Sequence, residues 1–182
     1  MLETTSYAIL PSKVNQKAEV RHAVTSVLSY EWDGRVLTGT LSKGTFCIYF
    51  INDKTLRFIV NPFGEVDAAP SIAAVGDHEC MSGTLEENDH SLHLQINGNE
   101  VMIEKETFRL SVKRKGEVLF QTESPSVAYN LEKHIYFSVK KSPQSPIYGL
   151  GEKSGFINKN GSKISNWNTD VYAPHNKDTV EL

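Results

Sequence analysis

The run Ser91-Leu92-His93-Leu94-Gln95-Ile96-Asn97-Gly98-Asn99-Glu100-Val101-Met102-Ile103-Glu104 decides how the rest of the chain is read. Leu92, Leu94 and Ile96 occupy alternate positions, as do Val101 and Ile103, and alternation sends successive side chains to opposite faces of a strand. Between the two halves, Asn97-Gly98 tolerates positive φ at both turn positions, so the run predicts a β-hairpin with one buried face. Downstream, Phe108, Leu110 and Val112 repeat the alternation. Lys115-Gly116-Glu117 then turns the chain, and Val118-Leu119-Phe120 returns as a second hairpin. Upstream, Val24-Thr25-Ser26-Val27-Leu28 reads as one strand. It pairs with Arg35-Val36-Leu37-Thr38 across Tyr30-Glu31-Trp32-Asp33-Gly34, whose Asp-Gly is a strong turn dipeptide. Thr45 to Phe50 and Leu56 to Val60 form a further pair around Asn52-Asp53-Lys54, and His134 to Val139 is one more strand. No window carries apolar residues at i, i+3, i+4 and i+7, so helices are expected to be few and short. Many strands joined by turns, without alternating helices, predict an all-β fold, an antiparallel β-sandwich. Its buried face holds Leu92, Leu94, Ile96, Val101, Ile103, Phe108, Leu110 and Val112.

At 182 residues the chain has the length of one large domain, given about 100–200 residues per domain. Hydrophobic residues make up 39%, enough to bury a core. The 19 basic and 22 acidic residues sum to −3, and the only basic cluster, Lys113-Arg114-Lys115, flanks a turn, so nucleic acid is not an expected partner. Two cysteines, Cys47 and Cys80, make no disulfide framework and fit a reducing compartment. The first 30 residues contain no apolar run of signal-peptide type, and no stretch approaches the roughly 20 apolar residues of a membrane span. Asn61 to Asp77, with Pro62, Gly64, Pro70 and Gly76, reads as a loop. From Lys141 onward Pro, Gly, Asn, Ser and Lys replace the strand rhythm.

Residue chemistry marks no catalytic centre. His78-Glu79-Cys80 and His90-Ser91-Leu92-His93 do not supply the two close ligand pairs of a structural zinc site, and His90 and His93 would face opposite ways in a strand. Gly149-Leu150-Gly151 with Gly155 misses the dinucleotide spacing and lacks a βαβ setting. Glu86-Glu87, Glu104 and Glu106 are strand-end and turn charges by pattern, and no serine lies in a Gly-x-Ser-x-Gly elbow.

One segment is more specific. Tyr148-Gly149-Leu150-Gly151-Glu152-Lys153, then Trp167-Asn168-Thr169-Asp170 and Val171-Tyr172-Ala173-Pro174-His175-Asn176, resembles the N-terminal region of glycoside hydrolase family 31, the α-glucosidase and α-xylosidase family. The likeness is strong over residues 148–176 and looser over Phe108-Arg109-Leu110 and Val118-Leu119-Phe120. It implies a galactose-mutarotase-like β-sandwich over residues 1–150, then a loop and linker over 151–182 leading towards a (β/α)₈ barrel. In that family two barrel carboxyls carry out retaining glycosidic hydrolysis. This sequence has no match to the family's Trp-x-Asp-Met-Asn-Glu nucleophile motif, so the resemblance assigns it no catalytic residue and predicts that the chain alone is inactive.

By the same resemblance, Asp170 contacts sugar hydroxyls. Trp167 and Tyr172 lie against either the sugar or the barrel, and Gly149, Gly151 and Glu152 form a structural loop motif whose base Glu152 holds. The implied partners are the catalytic barrel of the same parent chain and an α-glucoside. No cofactor, metal, nucleic acid or membrane is expected, and the compartment is the cytoplasm. Two other readings stay open on the residues alone. One is a free-standing carbohydrate-binding module with Trp167 or Trp32 as a sugar platform, and the other is an interaction domain whose tail docks onto a protein.

Overall fold

The computed structural model describes residues 20–67, 80–149 and 157–161. The chain divides into two compact units between Lys140 and Lys141. The first unit contains, in order, β1 (His22–Val24), β2 (Val27–Trp32), β3 (Val36–Leu41), β4 (Thr45–Asn52), β5 (Thr55–Asn61), β6 (Thr84–Glu87), β7 (Ser91–Ile96), β8 (Asn99–Glu104), β9 (Leu110–Arg114), β10 (Glu117–Tyr129) and β11 (Ile135–Val139). All pairings are antiparallel, and no helix occurs among the described residues. The strands form a four-stranded sheet, β2-β3-β4-β5, and a seven-stranded sheet, β1-β10-β9-β8-β7-β6, with β11 also paired to β10.

The central hairpin is as the alternation requires. Leu92 pairs with Ile103 and Leu94 with Val101, and the turn residues Asn97 and Gly98 have φ of 47° and 79°. Lys115 and Gly116 turn the second hairpin with φ of 51° and 83°, the two-residue geometry that matches the twist of the flanking strands. All eight residues expected on the buried face are between 0% and 8% exposed. They meet Leu37, Phe46, Ile48 and Phe50 from the four-stranded sheet in one core. Gly39 lies opposite Phe46, and a Cβ there would come within 2.5 Å of the Phe46 ring. The missing side chain is what lets that ring approach the neighbouring strand so closely.

The structure adds β6, extends β2 through residues 30–32 where the sequence reads as a turn, and departs from the sequence reading in three further ways. Val24 to Leu28 is not one strand, because the chain crosses between the sheets at Thr25-Ser26. β1 ends at Val24 in one sheet and β2 begins at Val27 in the other. Ser42 fastens the crossing, its hydroxyl accepting from Thr25 N at 2.9 Å while its own N–H donates to Ser26 O at 2.8 Å. The strand after the second turn runs on to Tyr129, past Pro125, because the register shifts between Thr122 and Val127 and a bulge has no ladder bond for proline to break. Phe108, finally, lies before β9 and not in it. Its backbone is left-handed, with φ of 50°, yet its ring is 1% exposed.

Phe108 packs against Phe46 at 5.2 Å between ring centroids and against Phe58 at 5.9 Å, so one residue touches two strands of the facing sheet. Phe108→Ala is expected to cost about 3–5 kcal/mol, the range for a large core aromatic. That lowers the Tm by something on the order of 10 °C in a thermal melt, and a shift of only a degree or two would contradict this packing.

Candidate functional site

Of the residues that the family resemblance singled out, Gly149 is described, with φ of 88° and no atom within 4 Å of where a Cβ would stand. Gly151, Glu152, Trp167 and Asp170 lie outside the described residues, as does Tyr172. What the structure gives is the chain on either side of the Gly-Leu-Gly-Glu motif. Asn158 Oδ1 accepts from Ile147 N at 3.1 Å and from Asn160 N at 3.1 Å, and Lys159 N donates to Ile147 O at 2.8 Å. Asn160 Nδ2 reaches Ser145 O at 2.9 Å. On the incoming side, Lys141 Nζ donates to Ser142 O at 2.7 Å and to Ser145 O at 2.6 Å. Residues 145–147 and 158–160 are thus clamped together.

The sequence reading gave a loop-holding role to Glu152, which lies outside the described residues, and did not single out Asn158 or Asn160. The signal was present in Asn158-Lys159-Asn160-Gly161, since asparagine bonds the backbone two residues on and Gly161 adopts φ of 76°. An amide suits the clamp because one carbonyl oxygen accepts two N–H bonds without bringing a charge.

Several of the other candidate residues have structural partners. Glu104 accepts from Arg109 Nε at 2.9 Å and from Thr107 Oγ1 at 2.6 Å, bracing the turn that carries Phe108. Lys105 Nζ donates to Glu87 Oε2 at 2.9 Å and to Asn88 O at 2.7 Å. The Lys105 bond, with a second from Tyr30, holds the Glu87 carboxyl below the usual range, while the bond to Glu87 pushes the Tyr30 hydroxyl up. Asp33 Oδ1 accepts from Arg35 N and Val36 N at 2.8 and 2.7 Å, which lowers its pKa and fixes the β2–β3 turn.

In the basic cluster, Arg114 pairs with Asp53 at 3.3 Å and Lys113 lies 3.9 Å from Glu100. His93 bonds Ser91 through Nε2 at 2.8 Å and faces Glu100 through Nδ1 at 3.5 Å, and His90 is exposed. Among the described residues no group of three His, Cys, Asp or Glu side chains is placed to hold a metal ion. Trp32 is half-buried and packs against the core. A cleft of about 400 Å³ lies between the two hairpin turns, lined by Thr84, Gln95, Asn99, Glu100 and Lys113, with no aromatic ring in its wall.

Comparison with known proteins adds what this geometry cannot. Residues 45–182 match the family model described as the glycosyl hydrolase 31 N-terminal galactose mutarotase-like domain. Alpha-glucosidase 2 of Bacillus thermoamyloliquefaciens is 29% identical over 184 aligned residues, a match that takes in 100% of this chain and 23% of that protein. Among solved structures, the Flavobacterium johnsoniae GH31 dextranase complexed with glucose superposes with a TM-score of 0.70 at 18% identity, over 86% of this chain and 20% of that one. The cycloalternan-forming enzyme of Listeria monocytogenes, in complex with a pentasaccharide substrate, superposes at 0.61 and 19% identity, over 78% and 14%. At these identities the two structures speak for the fold. This chain spans under a quarter of the length of each of the three.

Two outcomes follow from the site. Asn158→Ala should speed amide exchange at Ile147 and Lys159 by about ten-fold or more while leaving β7 and β8 as protected as before, because the clamp opens locally. Equal exchange at both amides would show that the clamp does not depend on this side chain. Burial first, and the neighbouring Cys80 second, push the Cys47 thiol up to about 11. Its thiolate fraction is then only about one part in a thousand at pH 8. Iodoacetamide should therefore label the half-buried Cys80 well before Cys47, and peptide mapping of the alkylated protein reads the order.

Proposed function

Since this chain belongs to the glycosyl hydrolase 31 N-terminal galactose mutarotase-like domain family, we propose that it is the non-catalytic N-terminal sandwich of a retaining α-glucosidase. In this role it packs on the catalytic (β/α)₈ barrel of the same parent chain and lends that barrel a substrate-contacting loop. The observation that carries the reading is the match to Alpha-glucosidase 2, which runs the full length of this chain. Retaining hydrolysis needs two carboxyl groups about 5–5.5 Å apart on a rigid mount. Four of the described carboxylates have structural partners: Glu104 and Glu87 are tied to basic side chains, Asp53 is paired with Arg114, and Asp33 fixes a turn.

The contribution of the domain to the parent enzyme is mechanical and positional. The family resemblance names Asp170, with Trp167 beside it, as the side chain that reaches the sugar. A carboxylate suits the task because its two oxygens accept from adjacent hydroxyls, and charge-assisted bonds are the stronger ones. The cytoplasm is the proposed compartment, supported by Cys47 and Cys80 both being free thiols.

The 182-residue chain by itself should not hydrolyse an aryl α-glucoside, and turnover that co-purifies with it would refute the reading. In the longer protein encoded by the same reading frame, Asp170→Asn should lower kcat/KM by about 10–100-fold, the loss of a charged hydrogen bond of about 1.5–3 kcal/mol. Unchanged kinetics would return Asp170 to a turn-forming role.

A further inference from the structure

The core of the sandwich does not close at β11. Ile135, Phe137 and Val139 share one face of this strand and are 49%, 46% and 44% exposed. That face is the interior one. Phe137 packs on Phe58 of the four-stranded sheet at 5.7 Å and stacks on Phe120 at 6.2 Å with the rings 14° apart, and Phe58 in turn touches the fully buried Phe108. A continuous row of rings thus runs from the dry centre to open solvent, where a seven-stranded sheet outreaches its four-stranded partner. Among the described residues β11 pairs only with β10, so the same strand also offers an unpaired edge. Contiguous apolar surface on an edge strand is what free-standing domains avoid, by charge, proline or covering chain. Leu28, 65% exposed on β2, is by contrast a scattered surface residue of the ordinary kind.

We propose that the strip Ile135–Phe137–Val139, with Phe120 beside it, is the seat of the parent enzyme's remaining chain, which covers it with apolar side chains of its catalytic part. This rests on the reading of the chain as an N-terminal domain. The occupant follows from proportion: a relative matched by the whole of this chain has more than three quarters of its length outside the match. It follows also from order, since β11 is the last strand before the unit that carries the substrate loop, so the chain leaving the sandwich starts from the strip.

Hydrogen exchange read by mass spectrometry, on the 182-residue chain and on the longer protein encoded by the same reading frame, tests the proposal. In the longer protein, residues 135–139 should exchange about ten-fold or more slowly than in the short chain, while β2 around Leu28 is unchanged. Val139→Asp should abolish that difference and leave β7 and β8 as protected as in the unsubstituted protein. Where it disturbs β7 and β8, Ile135→Asp at the other end of the strip gives the same reading. A longer protein with a catalytic domain in which 135–139 exchange as fast as in the short chain overturns the role of the strip and spares the domain assignment. A reading frame that stops at Leu182 overturns both. Protection of β11 in the short chain that grows with protein concentration assigns the strip to a second copy and overturns the proposal as well.

Discussion

The contact of Phe108 with Phe46 and Phe58 is the constraint on which the two sheets depend. Phe108 reaches it from a backbone conformation that costs about 1–3 kcal/mol for a bulky residue. Full burial of the ring stabilises by about 1.5–3 kcal/mol, and each well-placed aromatic pair adds about 0.5–1.5 kcal/mol. The gain meets or exceeds the strain, which is why the residue is held there. The neighbouring chemistry serves the same end. Glu104, Thr107 and Arg109 brace the turn from outside, and Glu104 N donates to Arg109 O at 2.9 Å to close it. On the inside, Thr122 Oγ1 accepts from Leu110 N at 2.9 Å and meets Ser126 Oγ at 2.7 Å, so these buried hydroxyls have partners.

Around this centre the sheets are laced by polar links rather than by more core. Val27 N donates to Lys105 O, Met81 N to Phe50 O and Gly83 N to Gly34 O, and Asn99 Nδ2 reaches Asp53 O. These links give the sandwich a rigid rim. At β11 the interior runs out to the surface instead. The two features together suit a domain that holds its own shape and still presents an apolar face to a neighbour.

The sequence by itself determined the repeating parts. Period-two alternation and the dipeptides Asn97-Gly98 and Asp33-Gly34 act over a few residues, so they were legible without any knowledge of partners, and they set the hairpins and the buried face from Leu92 to Val112. The glycine and tryptophan motifs from Tyr148 to Asn176 carried the family for the same reason, being fixed strings of residues. Only the tertiary structure decided where Thr25-Ser26 crosses between sheets, why Phe108 is left-handed, how far β10 continues past Pro125, and that Asn158 clamps the loop base. Each of these is set by groups far apart in the chain or by a register shift, as in the bond between Asn99 and Asp53 across 46 residues. The exposure of Ile135, Phe137 and Val139 belongs to the same class. Alternation says that they share a face, but whether that face is covered depends on seven strands being packed against four.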